Sequence, residues 1–398
     1  MNAGTQKAPK LPFNEEMLKW ARNWRGKTLE ETAKKFSVDI NKIWEWENGV
    51  SSPTVRQARG LAKYYDRSFL EFFYDSPPNI HETGLIPDFR VHRGAMNPRE
   101  SREILAIQHW AEAQRLNALE LFEEIDEQPI DFPKDLFATI EDDVENVAIR
   151  AREKMSFTIL QQKRIPAKDK YDLPKILREK IESLGILVLR NNDLAKHEVS
   201  GFCIAEFPLP IIAFCAESPG RQAFTLMHEF AHIVLRESAI SSFRNTRKAV
   251  TVARKVERWC NKFAAAFLIP ESAVDALRFK PNLPSKSFDE NILQQLAKTF
   301  KVSPHAMMIR LVDLNYIDPD YYWTVKRPQY LEEEQNYKSS GRSKYWASRN
   351  VNSLGPTYTS LVLEAWGTGR IPFHIAADYM GLKRPSHLSK IREEFDGN

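Results

Sequence analysis

The chain has 398 residues and a formal net charge of +4, with 42% hydrophobic and 28% charged residues. These values are typical of folded globular proteins, exclude a disordered chain, and predict two or three domains at about 150 residues each. No apolar run approaches the roughly 18 residues that a membrane span requires, so we expect no membrane partner. Three cysteines are too few for a disulfide framework and the first residues lack an apolar secretory signal, which favours the reducing cytoplasm.

Residues 14–75 are predicted to form a bundle of short helices. Thr28-Leu-Glu-Glu31 has the pattern of a capping box that begins one helix. Asp39 is expected to cap the next helix and Gly49 to end it. The segment resembles the XRE (Cro/repressor-like) helix-turn-helix, and Trp46-Glu-Asn-Gly49 is the most specific element of the resemblance.

This resemblance implies binding of double-stranded DNA, with the second helix of the motif in the major groove. The residues predicted to contact base edges are Asn41, Lys42, Trp44 and Glu45. The residues predicted to contact phosphates are Arg22, Arg25, Lys27 and Lys34. Basic and acidic residues nearly balance in this segment, so a helical domain that binds a protein stays an alternative.

The middle of the chain is predicted to change from helices to a small sheet and back. One long helix is expected between residues 100 and 127. Short strands are expected at residues 185–189, 199–205 and 210–215, where apolar runs are bounded by Gly, Pro and charged residues. Two long apolar helices are then predicted over residues 219–237 and 251–269.

The first of these two helices carries His228-Glu-Phe-Ala-His232, an H-E-x-x-H pattern. Because a helix repeats every 3.6 residues, His228 and His232 project from one face and can bind the same metal ion. Glu229 stands beside them and is suited to deprotonate a water at that metal. The helix is apolar on nearly every side and therefore buried, which favours a metal site over two buried structural histidines, the alternative.

The second helix provides the remaining predicted residues of the site. A catalytic zinc takes three protein ligands and a water. Glu257 and Asn261 are four positions apart, hence on one face of an otherwise apolar helix. Glu257 is the predicted third ligand, and Asn261 is predicted to orient one of the histidines. The alternative is that Glu257 is a surface charge.

Both helices carry the sequence of a known family. Phe224-Thr-Leu-Met-His-Glu-Phe-Ala-His232, followed by Glu257-x-x-x-Asn261-x-Phe-Ala-Ala-x-x-Leu-Ile-Pro270, resembles the ImmA/IrrE family of metallopeptidases. The same resemblance includes Ile86-Pro-Asp-Phe-Arg90, Phe300-Lys-Val-Ser303 and Arg310-Leu311, and covers roughly residues 80–315. It implies a zinc endopeptidase of the gluzincin kind, often acting on a transcriptional repressor. The chain departs from the family at Phe214-Cys215, where a polar Asn commonly ends the substrate-side strand.

Two features stay open at this point. A group that stabilises the oxyanion of the transition state is required, and the candidates are His197, His305, Tyr316 and Tyr345. A C-terminal helical module is predicted from about residue 356, either a second small helix-turn-helix or a bundle that regulates the enzyme or binds a protein.

The predicted fold class is α+β and mainly helical. We expect a helix-turn-helix at residues 14–75, a linker with a long helix at 76–134, a gluzincin-like metallopeptidase domain with a small sheet at 135–317, and a C-terminal linker and helical module at 318–398. The predicted function is a zinc-dependent endopeptidase joined to a DNA-binding domain. Its expected substrate is a repressor or antitoxin encoded nearby.

Three points of that prediction have alternatives. The metal domain can sense or scaffold without proteolysis, as in a DNA-binding regulator or antitoxin. Manganese or iron can replace the single zinc ion, because metal availability also decides what a site binds. A homodimer is an alternative to a monomer.

Overall fold

The structure is a computed structural model of the protein. It describes residues 13–25, 27–65, 67, 69–73, 102–166, 172–197, 199–237, 239–242, 252–276, 288–330, 346–382 and 384–396. The described chain divides into two compact units, one with the residues up to 73 and residues 102–110, and the other with the residues from 111 onward. The family motif at residues 86–90 and the candidate Tyr345 lie outside the described residues.

Most of the described chain is helical, and one small sheet lies in the second unit, so the predicted fold class is confirmed. The α-helices of more than three residues are α1 (Glu15–Trp24), α2 (Leu29–Phe36), α3 (Ile40–Glu47), α4 (Val55–Tyr65), α5 (Arg102–Glu124), α6 (Val144–Lys154), α7 (Ile159–Arg164), α8 (Asp172–Glu182), α9 (Pro219–Val234), α10 (Val252–Leu268), α11 (Glu271–Asp275), α12 (Glu290–Phe300), α13 (Pro304–Asp313), α14 (Trp346–Leu354), α15 (Pro356–Gly367), α16 (Phe373–Tyr379) and α17 (Leu388–Asp396). The strands are β1 (Leu187–Arg190), β2 (Val199–Ile204), β3 (Ile211–Phe214) and β4 (Ala239–Ser242).

In the first unit, α1 to α4 enclose an apolar core that includes Met17, Ile43, Trp46 and Leu61. The local signals act as expected from the sequence. The Thr28 hydroxyl accepts a hydrogen bond from the Glu31 amide, the Glu31 carboxylate accepts one from the Thr28 amide, and α2 begins there. The Asp39 carboxylate caps α3 by accepting from the Asn41 amide at 2.8 Å.

A buried ion pair joins α1 to α3. Arg22 donates to both carboxylate oxygens of Glu47, at 2.6 and 2.8 Å, and to the carbonyl of Lys27 at 2.8 Å. The guanidinium of Arg22 is thus bonded inside the module, and its predicted contact with a phosphate stays a prediction. Farther along, the ring of His109 in α5 stacks on Trp24 with 3.9 Å between ring centroids.

The sheet of the second unit has the strand order β1-β3-β2-β4. Strands β1 and β3 are parallel, and β2 is antiparallel to both β3 and β4. The first three strands lie where the sequence predicts them, whereas β4 was not predicted. Because β3 has a neighbour on each side and both Phe214 and Cys215 are buried, these two residues do not form an edge that faces a substrate.

Helices α9 and α10 pack against each other, and α9 also packs against β2, β3 and α8. The apolar pattern of α9 explains this position, because nearly all its residues from Gln222 to Val234 are buried. The outer side of α10 contacts α6, where the Trp259 indole donates to the carbonyl of Asp142 at 3.1 Å. The polar face of α9 is thereby held against that of α10 inside one core.

The C-terminal helices pack on the sheet side of the same unit. The Arg178 guanidinium of α8 donates to the carbonyl of Asn352 at 2.7 Å and also to that of Val188. The Glu182 carboxylate, likewise in α8, accepts from the amide and the hydroxyl of Thr357 at 3.1 and 2.6 Å. Between them lies Gly355 at φ +90, where an added methyl group would be 2.8 Å from a Glu182 oxygen. The module is thus attached through buried polar contacts.

Within the described part of the chain, no helix combines the length and the apolar composition needed to cross a bilayer. The predicted domain bounds stay a prediction, although the apolar core that surrounds α9 and α10 extends beyond residue 317 to Tyr322 and Tyr330.

Candidate metal centre

Three side chains with potential ligand atoms converge between α9 and α10. The Nε2 atoms of His228 and His232 are 3.2 Å apart. A carboxylate oxygen of Glu257 lies 3.1 Å from Nε2 of His232, and the other oxygen lies 3.5 Å from Nε2 of His228. The sequence predicted that these three residues meet, and the structure brings them together; their role as ligands stays a prediction.

The spacing of these atoms fits a tetrahedral metal ion. With metal–ligand bonds of about 2.0–2.2 Å, tetrahedral angles place each pair of ligand atoms about 3.3–3.6 Å apart. The two Nε2 atoms are 3.2 Å apart, and one oxygen of Glu257 lies 3.1 Å from His232 and the other 3.5 Å from His228, all near that range. Two imidazoles and a carboxylate are also the donors that zinc takes in catalytic sites, so the residues fit the ion that the sequence implies.

The charges at this centre support one another. Burial by itself would raise the pKa of the Glu257 carboxyl, but the two histidines outweigh burial and hold its pKa well below the usual range. Burial lowers the pKa of His232, and Glu257 offsets this only in part. At His228 burial also acts to lower the pKa, but Glu257 outweighs it and the pKa is raised. Glu257 is therefore ionised at neutral pH, as a metal ligand must be.

Asn261 lies one turn after Glu257 and hydrogen-bonds the ring of His228. The sequence predicted this contact from the four-residue spacing of the two side chains. A hydrogen bond to a metal-binding imidazole fixes its ring orientation. The role predicted for Asn261, to orient one of the histidines, stays a prediction.

His228, His232 and Glu257 are called the triad below. Glu229 does not belong to it, and the side chain of Glu229 is completely buried. It lies against the backbone of β2, where a methyl group added at Gly201 would be 3.1 Å from its Oε1 atom. The same methyl group would be 2.9 Å from Cγ2 of Thr225, one turn earlier in α9. The methyl group would also be 2.9 Å from the Ala213 carbonyl oxygen of β3, so the glycine permits the close approach of both β3 and α9.

Sequence reasoning did not identify Gly201 or the residues that hold the start of α9. There the buried Glu217 carboxylate accepts from the Thr225 hydroxyl at 3.1 Å, and the backbone carbonyl of Glu217 accepts from the side-chain amide of Gln222 at 2.6 Å. A glycine inside a strand often marks a close backbone approach, and that was the available signal for Gly201. No sequence signal pointed to Glu217.

Two of the oxyanion candidates that the structure describes have hydrogen-bond partners outside the three converging residues. The Tyr316 hydroxyl donates to Asp275 at 2.6 Å, and this bond raises the pKa of Tyr316 to about 12. Nε2 of His305 lies 3.0 Å from the Tyr322 hydroxyl, and its ring stacks on Tyr330. His197 lies in a 3-10 turn before β2.

Comparison with known families identifies the domain around this centre. Residues 181–312 match the family model of the IrrE N-terminal-like domain, a peptidase family. The chain carries an IrrE-like domain. Residues 18–72 match the helix-turn-helix family model. Both resemblances predicted from the sequence are confirmed, and no curated protein matches the chain.

The IrrE-like domain contains α9, α10 and the whole triad, and its family is one of metal-dependent peptidases. The chain is therefore a DNA-binding protein with a metallopeptidase-like domain. Among the predicted DNA contacts, the structure pairs Lys42 with Glu45 at 2.6 Å, and it leaves Asn41 and Trp44 exposed. Arg25 lies at the end of α1, half-buried.

Proposed function

We propose that the protein is a zinc-dependent endopeptidase of the gluzincin type, and that it cleaves a transcriptional repressor or an antitoxin to regulate gene expression in the cytoplasm. The observation that carries this proposal is the convergence of three metal-binding side chains beside a separate buried carboxylate. His228, His232 and Glu257 suffice to hold a metal ion, whereas Glu229 is an additional group that only catalysis requires.

The triad would hold one zinc ion through two neutral nitrogens and one carboxylate, which leaves a fourth position open. When bound, the ion supplies Lewis-acid chemistry by acidifying a water and polarising the substrate carbonyl. Asn261 keeps the ring of His228 in place, and the charge of Glu257 favours a cation between the three residues. Manganese or iron is compatible with the same nitrogen and oxygen donors.

Glu229 moves the protons of the proposed reaction. Its carboxylate accepts a proton from the attacking water and then delivers that proton to the nitrogen of the leaving amine. The slot formed by Gly201 and Thr225 restricts where this carboxylate can lie. Restricting a base in this way removes the orientational freedom that would otherwise slow proton transfer.

The helix-turn-helix at residues 18–72 suggests where the substrate is found. A peptidase joined to a DNA-binding module meets regulators that occupy the same promoter, and we expect one encoded nearby to be the substrate. Double-stranded DNA bound through residues 14–75 is the second proposed partner.

The experiment compares wild type with Glu229→Gln and Glu257→Gln. Each purified protein is incubated with zinc and the co-encoded repressor or antitoxin, and cleavage and zinc content are measured in parallel. We expect Glu229→Gln to keep its zinc and to lose about 10²–10⁴-fold in rate, because an amide cannot accept the proton. Glu257→Gln should lose the zinc as well, because a neutral amide is a poor ligand.

Two results would contradict the proposal. Cleavage by Glu229→Gln at the wild-type rate would rule out the gluzincin mechanism. If wild type cleaves no neighbouring regulator, while zinc alters its DNA binding, the domain acts as a sensor.

A further inference from the structure

The first two turns of α3 expose large apolar side chains. Ile40 is 44% exposed and Trp44 is 50% exposed, although Ile43 and Trp46 of the same helix are buried. Ile40 and Trp44 are four residues apart and therefore lie on one face of the helix. A single exposed apolar residue is ordinary in a soluble protein, but two neighbouring ones on a short helix form a surface that can bind.

The charged side chains of α3 are occupied within the module. Nζ of Lys42 lies 2.6 Å from a carboxylate oxygen of Glu45, and the Ser51 hydroxyl donates to that same oxygen at 2.9 Å. The pair neutralises the negative charge of Glu45, which would otherwise repel DNA phosphates. Asn41 is exposed, and only its backbone amide is used, in the cap formed by Asp39.

The position of α3 in the motif indicates what covers this face. Within the segment that matches the helix-turn-helix family, α2 and α3 are joined by a short turn, and α3 is the second helix of that motif. In that motif the N-terminal residues of the second helix contact base edges in the major groove. Ile40, Asn41 and Trp44 occupy this stretch of α3.

We propose that Ile40 and Trp44 recognise thymine through its 5-methyl group, and that Asn41 recognises an adjacent adenine. The thymine methyl is the only apolar group that a base pair presents in the major groove, and apolar side chains contact it. An Asn side chain can form two hydrogen bonds with N6 and N7 of adenine. The specific DNA site is thus rich in A·T pairs beneath the start of α3. The inference rests on the DNA-binding part of the proposed function and is independent of the peptidase chemistry.

The test begins with the full-length protein and a pool of random-sequence DNA duplexes. The enriched duplex is resynthesised with deoxyuridine in place of each thymine in turn, which removes only the methyl group. We expect one or two of these changes to weaken binding to wild type by about fourfold each, the effect of withdrawing one methyl group from an apolar contact. Binding to Trp44→Ala or Ile40→Ala should be weaker from the start and insensitive to the same change.

The controls separate this contact from general effects. Leu160→Ala shortens a similarly exposed apolar residue in α7, and it should keep the full sensitivity to deoxyuridine. Arg25→Ala should weaken binding to every duplex alike if Arg25 contacts a phosphate. Far-ultraviolet circular dichroism checks that each variant is folded, and zinc content and cleavage report separately on the IrrE-like domain.

Three results would overturn the inference. One is an equal response to deoxyuridine in wild type, Ile40→Ala and Trp44→Ala. Another is an enriched sequence with no A·T pairs. The third is that no DNA duplex is enriched, while wild type binds a protein partner that Trp44→Ala does not bind. This result would make the face a protein-binding surface.

Discussion

The metal centre and the exposed face of α3 are built in opposite ways. At the centre, His232 and Glu229 are completely buried, and other residues of the same domain surround them. On α3, Ile40 and Trp44 are about half exposed, and the groups they would contact lie outside the chain. Where the fold surrounds a side chain, helix spacing therefore predicts which residues act together. On a surface, helix spacing predicts only which side chains share a face. Which of those side chains can bind a partner also depends on the ion pairs that they form with their neighbours.

The largest effect is expected from removing one member of the triad. His232→Ala should lower the zinc content from about one ion per chain to none, because two remaining ligands cannot hold a catalytic zinc. Metal analysis of the purified protein checks this. The control is His387→Ala, since the ring of His387 packs on Trp346 in the C-terminal module. Equal zinc content in the two variants would contradict the prediction that His232 is a zinc ligand.

A second test compares two ion pairs that both involve α3. Arg22→Met should lower the free energy of unfolding of the first unit by about 3 kcal/mol, because it leaves Glu47 buried without its partner. Lys42→Met breaks a pair whose side chains are 44% and 32% exposed, and it should cost less than about 1 kcal/mol. Hydrogen exchange of residues 13–65 in the full chain measures both. Equal losses would mean that burial does not separate these pairs.

The third test concerns the slot that holds Glu229. Gly201→Ala should slow cleavage by up to about 10²-fold at unchanged zinc content, because the added methyl group pushes α9 away from β2 at Thr225 and β3 at Ala213 and so displaces the Glu229 carboxylate. The rate at saturating substrate should fall while KM stays nearly constant, a split that general unfolding would not produce. Ala205→Ser, just after the end of β2, is the matched control for a one-atom addition. Cleavage by Gly201→Ala at the wild-type rate would show that the slot does not position the base.

Much of this structure could be predicted because its signals are local. The capping box at Thr28 and the H-E-x-x-H spacing depend on residues within one or two turns of a helix. The features that were missed depend on distant contacts. Strand β4 has only four residues and pairs with β2, and the slot at Gly201 exists only because α9 crosses that strand. The ion pairs of Arg22 with Glu47 and of Lys42 with Glu45 likewise form only in the folded module.

The contacts of α8 with the C-terminal helices limit which segment of this chain could be transferred into another protein. The segment that matches the peptidase family ends at residue 312, but Arg178 and Glu182 bind Asn352 and Thr357, some forty residues later. A chain cut after residue 317 would leave a buried guanidinium and carboxylate without those partners. The part of the chain that packs together is therefore longer than the segment that matches the family. A recombinant protein that carries the matched segment needs α14 and α15 as well, or another cover for the β1 side of the sheet.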